Sequence, residues 1–405
     1  MRNYKEDSPL NTISKIRNIL HDINLLPIEL LWYNPKPGLF SVRLENPLEK
    51  GHFGTNGKGR TCYYALASAY AEFIERLQNG FVTGADGLSR IFLKKIQDKV
   101  GFFYYPDEKI ISKSAFRSLP KKYLTDIFGL RNTNKIEDYV NAYFERIKEN
   151  GLNGVISVPF FDVKHQEVVY LPYNLTLILS GSNGMAAGNS PEEAIFQALC
   201  ELIERYAVRT VYFEELTPPN IPDDFLATFE DEFHIINVLR KSGYDVFVKD
   251  FSCGMGLPAV GVLLIDKSNN KYRLNVGAET SFKIALSRAL TEIFQGIKDD
   301  DIMQKVMLDI PTKRQKYFLD ESDSSIRERD EQIRRYIIDG TGVFPYSLFS
   351  DKESYHFIND TFKPKETYKD EVVALIDLFS SFGYPVYIRN VSFLGFPSYH
   401  VYVPE

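Results

Sequence analysis

Ala194–Arg205 reads AIFQALCELIER, and the same pattern stands twice more in the chain: ALASAYAEFIER at Ala65–Arg76 and ALSRALTEIFQG at Ala285–Gly296. The three align without gaps. Each opens on an alanine and carries a second alanine four residues on, Ala69, Ala198 or Ala289. Seven residues after the first alanine comes a glutamate, Glu72, Glu201 or Glu292, and three further on stand Glu75, Glu204 and Gln295. Arg76 and Arg205 close two of the copies. Four residues before each opening alanine is a hydroxyl residue, Thr61, Ser190 or Ser281. Such residues cap helices by accepting from free backbone N–H groups. In the middle copy Pro191 suits the first helical position and Glu193 completes a capping box. The pattern predicts three helices that start in one register and project acids from the same point. A single ExxER helix is most often a solvated face with internal salt bridges. Three copies behind matched caps weigh against that bland reading.

Residues at i, i+3 and i+4 of a helix share a face. Glu72, Glu75 and Arg76 therefore cluster, as do Glu201, Glu204 and Arg205, with Glu292 and Gln295 as the third pair. Packed together, the helices bring five carboxylates to one place. Two carboxylates about 4 Å apart repel by ~4 kcal/mol at an effective dielectric of ~20, so such a site needs cations. Oxygen ligands suit magnesium, which commonly bridges carboxylates and nucleotide phosphates. Glu72, Glu75, Glu201, Glu204 and Glu292 are thus the candidate metal ligands. Before the first copy lies a glycine-rich stretch, Gly51–Gly59 (GHFGTNGKG). Its glycines would let backbone N–H groups approach a phosphate, and Lys58 would reach it as a point charge. It is not a Walker A loop. Ser68, Gln197 and Arg288 sit one helical turn before the glutamates on the same face, as candidate nucleotide contacts.

Around these motifs, helices and strands mix throughout, so the fold class is α+β or α/β. An amphipathic helix is expected near Thr12–Leu20 and a half-buried strand at Leu39–Glu45. Residues 1–50 read as a lead-in and 51–405 as the main domain, with an insertion-like segment at about 80–150. That segment carries helical patterns near Lys121–Phe128 and Ile136–Lys148. Strands are expected in VISVPFF, EVVYL and LTLIL between Gly154 and Ser180, near Asp245–Val248, Ala259–Ile265 and Tyr272–Val276, and at Val386–Val391 and Tyr399–Val403. A second glycine-rich turn, Gly181–Gly188, opens the middle helix, and a third helix runs from Ser281 to near Gly296. The charged tract Asp299–Asp339 reads as helical and solvent-facing, followed by a helix near Lys369–Phe382.

The bulk numbers exclude more than they assign. Hydrophobic residues make up 44% and charged residues 25% of the 405, as in ordinary globular proteins. A net charge of −6 argues against a broad grip on nucleic acid. Three scattered cysteines and six scattered histidines give no disulfide framework or zinc spacing. No run approaches a membrane span, and the polar start MRNYKEDSPLN lacks a signal-peptide core, so a cytoplasmic setting is expected.

Three blocks together resemble one family. GTNGKGRTCYYALASAYAEFIERL, SNGMAAGNSPEEAIFQALCELIER and RALTEIFQG are similar, in order, to the signatures of YcaO proteins. The resemblance covers the chain from about residue 51 onward. It implies a YcaO-type fold with internally repeated acidic helices packed against β-sheets around an ATP site. It implies ATP and Mg2+ as cofactors, held by Ser68, Glu72, Glu75, Glu201, Glu204, Glu292 and Gln295. Lys58, Arg76, Arg205 and Arg288 would contact phosphate or balance charge. In that family a nucleophile adds to a backbone amide carbonyl, ATP phosphorylates the oxygen, and phosphate leaves. The product is an azoline, a thioamide or an amidine, and catalysis rests on positioning and electrostatics. Azoline-forming members often end in a proline-rich tail. The stretch FPSYHVYVPE (396–405) lacks alternating prolines, which leaves thioamide formation open. The resemblance implies a peptide or protein substrate, a separate partner that is E1-like, peptide-binding or sulfur-delivering, and allows a homodimer. The general base is not identified. A carboxylate–amine ligase and a non-catalytic adaptor are the competing readings.

Overall fold

The computed structural model describes residues 4–46, 54–80, 98–128, 133–149, 153–311, 331–333, 335–336 and 342–404. Along the chain the elements are α1 (Pro9–Asp22), β1 (Ile28–Lys36), β2 (Leu39–Glu45), β3 (Gly54–Gly59), α2 (Cys62–Gln78), β4 (Lys109–Ile111), α3 (Lys113–Arg117), α4 (Lys121–Ile127) and α5 (Ile136–Glu149). Next come β5 (Val155–Asp162), β6 (Glu167–Pro172), α6 (Tyr173–Ser180), β7 (Met185–Ala187), α7 (Pro191–Phe213), α8 (Asp223–Leu226), α9 (Glu230–Lys241), β8 (Asp245–Asp250), β9 (Ala259–Asp266) and β10 (Lys271–Ala278). The chain continues through α10 (Phe282–Ile293), α11 (Asp300–Val306), β11 (Leu308–Asp309), α12 (Tyr368–Ser381), β12 (Tyr387–Asn390) and β13 (Ser398–Tyr402).

The chain forms two compact units, one of residues 1–72 and 200–367, the other of residues 73–199 and 368–405. In the first unit β2 pairs with β1 and with β3, and a second antiparallel sheet runs β11-β10-β9-β8. Its core lies where Val246, Val248, Val260, Val262 and Leu264 of that sheet meet Ile235, Ile236 and Leu239 of α9 and Phe282, Leu286, Leu290 and Ile293 of α10. The α10 residues recur at helical spacing, so one stripe faces the sheet. Each fully buried aliphatic side chain contributes roughly 1.5–3 kcal/mol. The second unit holds the sheet β4-β5-β12-β13-β7, with β6 paired to β5. Its core gathers Tyr123, Val140 and Phe144 of α4 and α5 against Val158, Phe160 and Leu171.

Four expectations fail in instructive ways. LTLIL is not a strand but the body of α6. A short apolar run cannot be told from a helix by periodicity. Here Thr176 and Ser180, four residues apart, face inward while Ile178 is 75% exposed. The glycine stretch is not a loop where it is described, because Gly54–Gly59 is β3, paired along its length with β2. Gly51 lies outside the described residues. The helix from Ser281 ends at Ile293, so Gln295 lies in the turn beyond it rather than on a shared helical face with Glu292. Finally, the charged tract is not wholly solvent-facing. Residues 312–330, 334 and 337–341 lie outside the described set, but Ile333 is buried and Tyr336 stacks edge-on against Phe344.

The repeat has a packing role that its sequence did not announce. A Cβ built on Gly277 would stand 2.5 Å from the Ala285 carbonyl oxygen and 2.9 Å from the Ala289 nitrogen. Gly57 meets Ala65 and Ala69 of α2 more closely still. In the other unit, a Cβ on Gly188 would fall 2.6 Å from the Ala194 nitrogen. The alanines four apart are thus the face on which a glycine backbone lies, and only glycine fits there.

Candidate functional site

The caps set the register of the first two acidic helices. Thr61 Oγ1 accepts from the Tyr64 N–H at 3.3 Å, and Ser190 Oγ accepts from the Glu193 N–H at 3.1 Å. The third expected cap is not made. Ser281 forms no side-chain cap, and its own N–H donates instead to Glu279 Oε1 at 3.1 Å.

Within the first unit, α7, α10 and β3 bring charged groups together. Lys58 Nζ pairs with Glu292 Oε2 at 2.5 Å. Arg205 reaches Glu204 at 3.1 Å and Glu201 at 3.7 Å. Arg288, one turn before Glu292, has Glu204 and Glu292 as electrostatic neighbours. Gln295 Nε2 donates to the Asn56 carbonyl, which ties the end of α10 to β3 beside Lys58. Ser68 and Glu72 are half-buried on α2, the helix on which Gly57 of β3 lies. Glu75 and Arg76 belong to the second unit, where Glu75 is 9% exposed and its carboxylate stands 3.6 Å from Arg76. Gln197 also lies in the second unit.

Cations of the protein's own stand among Glu201, Glu204 and Glu292. Burial raises the Glu204 carboxyl to about 7, against the pull of Arg205. Burial works the same way on Glu292, yet Lys58, Arg205 and Arg288 hold it below its ordinary value. Burial also works against the Arg205 guanidinium, but Glu204 and Glu201 raise its pKa overall.

Two residues that sequence reasoning passed over join this cluster. Arg273 of β10 has Tyr336 and Glu292 as electrostatic neighbours. Tyr336 also neighbours Glu204 and Arg205, and burial raises its phenol. The alternation of β10 was the available signal for Arg273, since it shares a face with Gly277. Tyr336 sat inside a tract whose charge pointed to solvent.

This arrangement fits a polyanion with magnesium. Among the described residues no three His, Cys, Asp or Glu side chains gather closely enough to hold a metal alone. Magnesium does not require that, because it is usually held by one or two carboxylates plus substrate phosphates. Glu201, Glu204 and Glu292 supply such carboxylates. Lys58, Arg205 and Arg288 supply donors for phosphate oxygens.

The comparisons agree with this chemistry. Residues 56–405 match the YcaO family, described as a cyclodehydratase that binds ATP and Mg2+. The chain is 28% identical over 396 residues to the ribosomal protein S12 methylthiotransferase accessory factor YcaO of Escherichia coli K12, covering 97% of this chain and 64% of that protein. It therefore spans under two thirds of that curated relative. A heterocyclase in complex with substrate and cofactor has a similar fold, with a TM-score of 0.65 and 18% identity over 99% of this chain and 53% of that one. So does YcaO from Methanopyrus kandleri bound with AMPPCP and Mg2+, with a TM-score of 0.56 and 16% identity over 99% and 92% of the two chains. The chain belongs to the YcaO family, and its cofactors are ATP and Mg2+.

Proposed function

We propose that this chain uses ATP and Mg2+ to activate a backbone amide of a ribosomally made peptide or protein, giving an azoline or a thioamide. The observation that carries the reading is the half-buried cluster in which Lys58, Arg205 and Arg288 interleave with Glu201, Glu204 and Glu292. Glu201, Glu204 and Glu292 would hold magnesium, with Glu72 as a further ligand. Lys58, Arg205 and Arg288 would orient phosphate oxygens, with Ser68 and Gln295 positioning the nucleotide. Bound ATP supplies a phosphoryl group that turns a poor leaving oxygen into a good one. The residues of this chain align that group and hold its charge away from bulk water, where fixed donors act most strongly.

The substrate reading draws on the heterocyclase solved with its substrate and on the Escherichia coli relative, whose name ties it to ribosomal protein S12. That same name, an accessory factor, supports a separate partner protein, peptide-presenting or sulfur-delivering. It also favours the second reading, a non-catalytic adaptor. Free Cys62, Cys200 and Cys253 suit a reducing cytoplasm. Among the described residues no helix is long and apolar enough to cross a membrane.

The test is phosphate release on adding a candidate peptide and partner, with the product weighed. Peptide-dependent release with loss of water marks an azoline, and exchange of oxygen for sulfur marks a thioamide. ATP binding without any peptide-dependent release across peptides and partners that react with a family member would favour the adaptor.

A further inference from the structure

Arg273 is the third residue of β10, paired with Leu264 of β9. Residues two apart on a strand share a face, so Arg273 and Asn275 project with Gly277 toward α10. Gly277 lies against Ala285, Ala289 and the Arg288 Cβ. The Arg273 Nε is shut off from solvent and has no hydrogen-bond partner among the described residues. No carboxylate among the described residues stands within ion-pair distance of its guanidinium. Its electrostatic neighbours are the neutral Tyr336 phenol and Glu292, which is already taken by Lys58.

A guanidinium N–H shut off from water without an acceptor is costly, and folded chains seldom keep one unless something outside the chain completes it. Lys58 and Arg205 pair with Glu292, Glu204 and Glu201, whereas Arg273 pairs with none of them. Its Nε–H sits in a fixed planar fork, the geometry that recognises phosphate oxygens.

We infer that Arg273 is a ligand for the polyphosphate of the nucleotide, its open Nε–H completed by a phosphate oxygen. This rests on the nucleotide site proposed above. It makes β10 a wall of that site along with α7, α10 and β3. It also explains a functional trade-off. An arginine kept for a ligand burdens the empty protein, so removing it should not harm folding.

The experiment titrates ATP with magnesium, and separately inorganic tripolyphosphate without metal, into wild type, Arg273→Met, Arg273→Gln and Arg273→Lys. Thermal unfolding is recorded for each without ligand. The expected result is at least tenfold weaker binding of both probes by the Met and Gln variants. Lys, which keeps the charge but loses the fork, should recover part of it. The melting temperature of Arg273→Met should equal or exceed that of wild type. Wild-type affinity for both probes in Arg273→Met, with wild type itself binding, would overturn the inference and leave the nucleotide site intact. A melting temperature several degrees lower in both Met and Lys would also overturn it, since Arg273 would then be completed within the fold. Wild type that binds neither probe would bring down the nucleotide site and this inference with it.

Discussion

Lys58 and Arg205 show how single residues set the chemistry of this chain. Each sits on a carboxylate that the sequence marks as a metal ligand, so the chain supplies balancing charge of its own. The five-acid repulsion argument treated the helices alone and missed the cations that β3 and α7 lay between them. The glutamates themselves were legible, because helical spacing fixes which acids share a face. Arg273 was legible only through the alternation of β10, and Tyr336 not at all, because it stands in a charged tract that reads as solvent-facing. His400 makes a separate statement at this scale. It lies on β13 in the second unit, with Nε2 3.4 Å from Ser180 Oγ and the Phe160 ring edge-on. Burial drives its imidazole down to about 3, from an ordinary 6.5. Between those values the unfolded chain takes up a proton that the folded chain refuses. Stability therefore falls as pH drops through that window, by up to about 1.4 kcal/mol per unit. Urea unfolding of His400→Gln across the window should show a shallower acid decline than wild type. An unchanged slope would assign the acid sensitivity to other groups.

At the scale of elements, the repeat is a joint as much as a site. Gly57 over Ala65 and Ala69, Gly188 over Ala194, and Gly277 over Ala285 and Ala289 let a strand or turn backbone rest on a helix. The close fit fixes how far along each helix its acids stand from the neighbouring backbone. Alanines four apart were plain in the sequence, but their partners were not, because a glycine's use depends on what approaches it. Gly277→Ala would drive a methyl into helix backbone that cannot rotate away. The expected cost is about 1–3 kcal/mol, read as a lower urea midpoint with unchanged slope. Nucleotide affinity should fall with it, since Arg288 and Glu292 ride on α10. Unchanged stability would show that β10 and α10 can part without loss. α6 marks the limit of local reading: LTLIL has strand-like composition, and only its packing against the second unit's core makes it helical.

For the molecule as a whole, many helices and strands fell near their expected places, while β1 and the core helix α9 were not anticipated. The partition into two units was not foreseen. It joins the first 72 residues to 200–367 through pairings such as Lys36 with Asp300 and Lys58 with Glu292, which no linear reading of composition reveals. The fold and the cofactors follow from family membership, while the assignment of particular residues to nucleotide and metal rests on geometry. The most direct test of that assignment is calorimetric titration of ATP with magnesium into wild type, Glu201→Gln and Glu292→Gln. Saturable binding by wild type, weakened at least tenfold in each variant (about 1.4 kcal/mol or more), is the result predicted. Binding by both variants as tight as wild type would contradict the account and place the nucleotide elsewhere.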